Sequence, residues 1–336
     1  MRKRQTQFGD ALSLAKILCV VACAAPLVCN AAAADWKPER GVEIVAPSGP
    51  GGSTDRTARV VARILMERKL VDVPVTVVNK PGGSGTIGLN YINQHAGDGH
   101  YLIVATTASI SNHIMGLIPY DHNNFTSIAM LFDEYLGINV KTDSPIKTGR
   151  EYADILRKDP EALSIGISTS VGGANHTALM ICLRAAGINI KKLKTVVFPG
   201  GAASITALLG GHVSSINTAP GNTVEFFKAG QLRTIAVSSP KRLGGLFAQV
   251  PTWREQGVNA DSGSWRGMLG AKGMPPAQIA YWDRAFGALV KTDDWKKELE
   301  ENYWENVYAD SRGTKKRLDE EYAEYKAMLG ELGYAK

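Results

Sequence analysis

The stretch Val42-Glu-Ile-Val-Ala-Pro-Ser-Gly-Pro-Gly-Gly-Ser-Thr-Asp-Arg-Thr-Ala-Arg59 sets the reading of the whole chain. Val42 and Ile44 alternate with Glu43 and Val45, a strand pattern. Pro47 to Gly52 is too rich in Gly and Pro to continue either regular element. Ala58, Val61, Ala62 and Leu65 then recur at helical spacing, with Arg56, Arg59 and Arg63 on other faces. Ser53 or Thr54 is the expected N-cap, and Asp55 falls in the first turn, where negative charge is favoured. A strand that passes through glycines into a helix leaves backbone N–H groups unpaired in one concavity, which suits a carboxylate or a phosphate. A dinucleotide fingerprint fits poorly. Thr54 stands where Gly49-x-Gly51-x-x needs a third glycine, and the next strand ends at Asn79 where an acid should hold the ribose.

With 336 residues, 44% of them hydrophobic and 21% charged, the composition is that of a globular chain long enough for two domains. Arg2, Lys3, Arg4 and Lys16 precede an apolar run from Ile17 to Val28, and Asn30-Ala31-Ala32-Ala33-Ala34 offers cleavage before Asp35. The run is too short to span a bilayer, so residues 1–34 read as a secretory signal and the mature protein as exported. Val20-Val21-Ala22-Cys23 fits a lipobox only loosely, because the apolar run continues past the cysteine. Cys19, Cys23 and Cys29 leave with the signal, so Cys182 stands alone, with no intramolecular disulfide and no cysteine metal site to expect. Its apolar neighbours in Leu179-Met-Ile-Cys-Leu183 favour a buried, inert thiol. Loss of the signal lowers the formal charge from +6 to +3, which is no case for a nucleic-acid partner.

Along the mature chain, Val73 to Val78 reads as a second strand, followed by the glycine-rich turn Asn79-Lys-Pro-Gly-Gly-Ser-Gly85. A helix over Thr86 to Gln94 leads to a third strand, Tyr101 to Ala105. Short β-α-β-α-β connections imply a parallel sheet with helices on its faces. Thr107 and Ser109 lie just beyond the carboxyl end of the third strand, where ligands of open α/β sheets collect. A second set of units begins with the capping box Thr148-Gly-Arg-Glu151. Strand Leu163 to Ile167 enters the polar turn Ser168-Thr-Ser-Val-Gly-Gly-Ala-Asn-His176 and a helix from Thr177 to Ala186. Lys194 to Phe198, Val213 to Asn217, Leu232 to Ser238 and Gly267 to Ala271 read as further strands. Charged helices from Asp293 and from Thr314 close the chain as solvated faces packed on a sheet. Only three strands precede Asp121, and Gly267 to Ala271 can complete the first sheet. The first lobe then takes residues 35–134 and 258–336, and the second takes residues 135–257.

Pro50-Gly-Gly-Ser-Thr-Asp55 with Ala58-Arg59, Val77-Val-Asn-Lys-Pro-Gly82, Pro119-Tyr-Asp121, Phe198-Pro-Gly-Gly201, Leu208-Leu-Gly-Gly211, Gly230-Gln-Leu-Arg233, Pro251-Thr252 and Ala271 to Pro276 carry a resemblance. In order and spacing the chain resembles the extracytoplasmic solute receptors of tripartite tricarboxylate transporters, the TctC-like or Bug-type family, over essentially all of residues 36–336. The resemblance implies an α/β periplasmic-binding-protein fold of two lobes, each a mostly parallel sheet flanked by helices, closing over a small carboxylate. It also implies membrane permease subunits as partners, no cofactor, and a ligand carboxylate held by loop N–H groups and bridging waters. Carried onto this sequence, the candidate ligand-binding residues are Ser48, Gly51, Gly52, Ser53, Thr54 and Asp55 in the first-lobe turn. In the second-lobe turn they are Thr169, Ser170, Gly172, Gly173, Asn175 and His176. Thr107, Ser109, Gly200 and Asn217 complete the set. The family's usual Tyr-Lys-Gly is Phe198-Pro199-Gly200 here, and Val213-Ser214 replaces Val-Asp.

Catalytic patterns are missing. Gly82-Gly83-Ser84-Gly85 runs on into Thr86, so there is no nucleophile elbow, and the six histidines show no zinc spacing. A ligand sensor docking on a signalling receptor would use the same fold, and a secreted hydrolase would need a nucleophile–base pair. Asp55 has two readings, orienting the loop or ligand and favouring the helix dipole. His176 has the site or a solvent-facing helix start, and Trp265, next to Arg266, has the cleft wall or the interlobe core. Neither turn contains Lys or Arg, so the expected anion site is a neutral one built from N–H groups and hydroxyls.

Overall fold

The computed structural model describes residues 36–168 and 171–336. The signal read over residues 1–34 and the candidates Thr169 and Ser170 lie outside the described residues. In chain order the elements are β1 (Val42–Ala46), α1 (Ser53–Glu67), β2 (Val75–Asn79), α2 (Thr86–Asn93), β3 (Tyr101–Thr106), α3 (Ala108–Ile114) and β4 (Thr126–Tyr135). Then come β5 (Gly137–Lys141), α4 (Gly149–Lys158), β6 (Ser164–Ser168), α5 (Ala174–Ala185), β7 (Lys194–Phe198), α6 (Gly201–Leu209), β8 (Ser215–Thr218), α7 (Val224–Lys228) and β9 (Leu232–Val237). The chain ends through β10 (Gly263–Gly270), α8 (Pro276–Leu289), α9 (Asp293–Asn302), β11 (Trp304–Ala309) and α10 (Ser311–Glu331).

Two sheets result. The first has the order β11-β4-β10-β3-β1-β2 and the second β7-β6-β8-β5-β9. The chain is α/β and two-lobed, but the sheets are mixed and not mostly parallel. β1 runs parallel to β2 and β3, whereas β10 is antiparallel to β3 and β4. In the second sheet β6 is parallel to β7 and β8, and β5 is antiparallel to β8 and β9. The reason is the connection. β4 leads directly into β5 of the other sheet, and β10 returns from it, so these strands are not placed by βα-crossovers. β4 reaches Tyr135, which pairs with Gly263, one residue beyond the lobe boundary read from sequence.

The two crossovers are tied together at Ser238. Leu136 N donates to Ser238 Oγ at 3.0 Å, Ser238 Oγ donates to Ser262 O at 2.6 Å, and Ser238 N donates to Leu136 O at 2.8 Å.

Val45 shows why the opening strand matters. Val42 and Ile44 pack in the core between the first sheet and α1, while Val45 faces the other core with Ile103 and Leu89. A central strand covered on both faces buries both sets of side chains, so the alternation seen around Glu43 does not mark a solvated face. Helix α4 starts with the expected capping box, Thr148 Oγ1 accepting from Glu151 N at 3.1 Å and Glu151 Oε2 from Thr148 N at 3.2 Å. Helix α10 packs on β4 and α3 and reaches α5 through a buried face containing Leu318, Tyr325, Met328 and Leu329. No helix among the described residues is long and apolar enough to cross a membrane.

Candidate functional site

The turn from β1 to α1 is held from behind. Gly51, at φ 79°, donates its N–H to Asp55 Oδ2 at 2.9 Å. Asn79 Nδ2 bridges Asp55 Oδ1 at 2.8 Å and Ser48 O at 3.0 Å, and Arg59 Nε donates to Asp55 Oδ2 at 3.0 Å. The hydrogen bond from Arg59, helped by those from Gly51 and Asn79, holds the Asp55 carboxyl down to about 2 against the cost of its desolvation. Asp55 is therefore the pin of the loop, both of its oxygens engaged by Gly51, Arg59 and Asn79. The N-cap is Gly52 and not Ser53 or Thr54, and no side chain caps it. Thr54 Oγ1 instead donates to Ser48 Oγ at 2.7 Å.

The turn into α5 repeats the device. Gly173 is the N-cap with no side-chain cap, and Gly172, at φ 73°, donates its N–H to His176 Nδ1 at 3.1 Å. Both helices thus begin on a glycine, with a buried side chain four residues on from a left-handed glycine accepting that glycine's N–H. Burial pulls the His176 imidazole down to about 4, so it stays neutral, and accepting at Nδ1 puts its proton on Nε2. The reading of His176 as a solvent-facing helix start is wrong, since the residue is 2% exposed.

The mouths of these turns share a cavity of about 420 Å³. Ser48, Ser53 and Thr54 line one side, and Val171, Gly173, Ala174 and Asn175 line the other. Thr106 of β3, Ser109 and Asn112 of α3, Gly82 and Gly85 of the β2–α2 turn, and Ser264 and Arg266 of β10 add to a wall that also holds the apolar Pro47, Leu89, Ile103, Val104, Ala108 and Leu117. Of the candidates from sequence, Ser48, Ser53, Thr54, Ser109, Gly173 and Asn175 come together on this surface. Gly51, Gly52, Asp55, Gly172 and His176 stand behind it as loop scaffold. Thr107 is buried at the start of α3, and Gly200, the N-cap of α6, lies off the cavity. Asn217 also lies off it, but its Nδ2 donates to Asn175 O at 2.8 Å and so sets the far wall. A larger open depression of about 1000 Å³ follows the outer side of α1 and β2, with walls from one sheet only.

Sequence reading missed Arg266 and Ser264. Neither sits in a glycine turn, and their place follows from the register of β10 between β3 and β4. Trp265 points to the opposite face, 1% exposed, its Nε1 donating to Glu321 Oε2 at 2.5 Å, so the core reading is the correct one. Neither turn carries a cation, but the cavity that they share has one in its wall. Arg266 is in the wall and only 7% exposed. Cys182 is buried, its thiol pushed up to about 12 by desolvation, which leaves it inert.

Residues 57–334 match the family model described as the tripartite tricarboxylate transporter family receptor. The chain belongs to this family. It is 28% identical over 306 residues to a UPF0065 protein of Cupriavidus necator, covering 91% of each chain. A ligand-free TctC solute-binding protein from Polaromonas is similar in structure, with a TM-score of 0.76 and 28% identity over 88% of this chain and 99% of that one. An adipate-bound protein of R. palustris shares the fold, with a TM-score of 0.73 and 23% identity over 90% of this chain and 99% of its own.

The receptor should show the His176 shift in its stability. The imidazole ordinarily titrates near 6.5 and here near 4, so the unfolded chain takes up a proton that the folded chain refuses. The contribution is intact above pH 6.5 and is lost as pH falls toward 4, amounting to about 2 kcal/mol between pH 7.5 and pH 5. Urea unfolding at those two pH values should show a loss smaller by about that amount in His176→Gln. Equal losses in both proteins would contradict the assignment.

Proposed function

We propose that the protein is an exported receptor that captures a small carboxylate between its lobes and delivers it to the membrane permease subunits of a tripartite tricarboxylate-type transporter. The observation that carries this reading is the shared cavity. The N-termini of α1 and α5, arriving from different sheets, open onto one space lined by hydroxyls, glycine-freed backbone and apolar side chains such as Leu89 and Ile103. Each helix start presents unpaired N–H groups and roughly half a positive charge, so an anion that touches both gains from closure. The bound adipate of the R. palustris protein supports the choice of carboxylate over phosphate. The amino-terminal sequence supports export. A hydrolytic role has less support, because His176 is committed to Gly172 and offers no base to the cavity hydroxyls.

A thermal-shift panel of aliphatic and aromatic mono-, di- and tricarboxylates tests the reading. A member present at about 100 times its Kd should add about 2.7 kcal/mol of stability. Uptake of that member by cells carrying the permease should then require the receptor. If no carboxylate shifts the transition at millimolar concentration while phosphate does, the reading fails.

A further inference from the structure

Arg266 is an ionised group in the wall of the cavity whose countercharge is loose. Its Nη1 donates to Ser264 Oγ at 2.6 Å, Ser264 O at 3.1 Å and Trp265 O at 3.0 Å, all on its own strand. Its Nη2 lies 3.5 Å from Glu134 Oε2, while the other Glu134 oxygen accepts from Trp304 Nε1 at 3.3 Å. Charge-assisted pairs normally close to about 2.8 Å. The neighbouring Arg317 shows that closer geometry, with Asp133 at 2.8 and 3.0 Å and Glu321 at 2.7 Å. Among the described residues that line the cavity, Arg266 is the one that carries a formal charge. The β4 strand bulges beside it, with a register shift between Arg266 and Gly267, and such a bulge re-aims a strand side chain.

We propose that Arg266 is the specificity-determining residue for a second anionic group of the ligand, so that the receptor selects dicarboxylates over monocarboxylates of the same length. This rests on the carboxylate reading above. One carboxylate meets the two neutral helix starts, and the other meets the guanidinium on the floor between β3 and β4. The bonds to Ser264 and Trp265 occupy Nη1 and fix the guanidinium plane, leaving Nη2 to meet a ligand oxygen. Salt titration reads the two subsites together, because one ligand spans them. Ligand charge can separate them.

The test is calorimetry with succinate, glutarate and adipate, each beside its monomethyl ester, on the unmodified protein and on Arg266→Gln and Arg266→Lys. The unmodified protein should bind at least one diacid about tenfold or more tighter than its monoester. Arg266→Gln should bring the two within about twofold by losing diacid affinity, and Arg266→Lys should keep part of the preference. The ester comparison needs no variant and can overturn the proposal by itself, and Arg266→Lys carries the assignment to this residue if Arg266→Gln does not fold. Equal binding of diacid and monoester by the unmodified protein, or selectivity retained in Arg266→Gln, overturns the role of Arg266 and leaves carboxylate capture standing. If none of the six compounds binds and the wider panel also fails, capture itself falls, and this inference falls with it.

Discussion

Gly52→Val is expected to weaken carboxylate binding about a hundredfold, close to 2.7 kcal/mol, while the protein still folds. A Cβ at Gly52 would stand 2.6 Å from Ser48 Oγ, 2.9 Å from Ser48 Cβ and 3.1 Å from Gly49 O. The Ser48 side chain could turn aside, but only by giving up its hydrogen bond from Thr54, and the Gly49 carbonyl belongs to the backbone and must shift. Ser48 and Thr54 both line the cavity, so the loss is transmitted to the ligand through them and not by direct obstruction, since Gly52 is set behind the surface. The turn is on the surface and the β1 and α1 cores do not depend on it, which is why the fold should survive. Arg56→Gln is the matched control. That guanidinium lies 5.6 Å from the Trp304 ring centre, on the outer side of α1, and its loss should change affinity less than twofold. Calorimetry with the tightest carboxylate of the thermal-shift panel makes the comparison. Full binding by Gly52→Val together with loss in Arg56→Gln would refute this account of the turn.

Arg317→Ala should destabilise the protein by about 3 kcal/mol at pH 8, the low end of what breaking a buried pair costs, since the arginine retains some exposure. Asp133 of β4, 4% exposed, and Glu321 of α10 would be left as carboxylates without a counterion between the two elements. Burial already raises the Glu321 carboxyl above its ordinary range, and Arg317 opposes that rise. Without the arginine Glu321 should rise further and take a proton on mild acidification. The deficit of the variant should therefore shrink between pH 8 and pH 5, and Glu321→Gln in the same background should recover part of it. Urea unfolding measures both. A deficit below about 1 kcal/mol, or one that grows as pH falls, would show that the network carries little of the stability.

Much of the fold could be read because its signals are local. The glycine turn at Pro47–Gly52, the capping box at Thr148 and the helical spacing of Ala58 to Leu65 each depend on residues within one or two turns of one another. β4 was harder. Thr126–Tyr135 is buried along nearly its whole length, so it lacks the alternation that marks a strand in sequence. β11 carries Trp304 and Tyr308 between two charged helices, and a partly exposed edge strand of that kind gives no strong period. The helix over Ser311–Glu331 was read as a solvated face packed on a sheet, and it does pack on β4 through Leu318, Tyr325, Met328 and Leu329, but its charges gave no sign that Arg317 enters an ion network.

The sequence alone determined that two glycine turns open onto helices, that hydroxyls flank them, and that the surrounding motifs belong to one receptor family. Such turns are specified by φ angles and N–H groups that only glycine frees, so composition is enough to see them. Tertiary structure decided which turn residues line the shared cavity and which brace the loop. Asp55 and His176 look like ligand groups in the chain and prove to be anchors, because each is drawn back onto a glycine N–H four residues earlier. Tertiary structure also decided that Arg266 enters the cavity while Trp265 leaves it. That outcome depends on strand register and a bulge in a neighbour more than a hundred residues distant, and a two-residue period without a partner strand has no inside or outside.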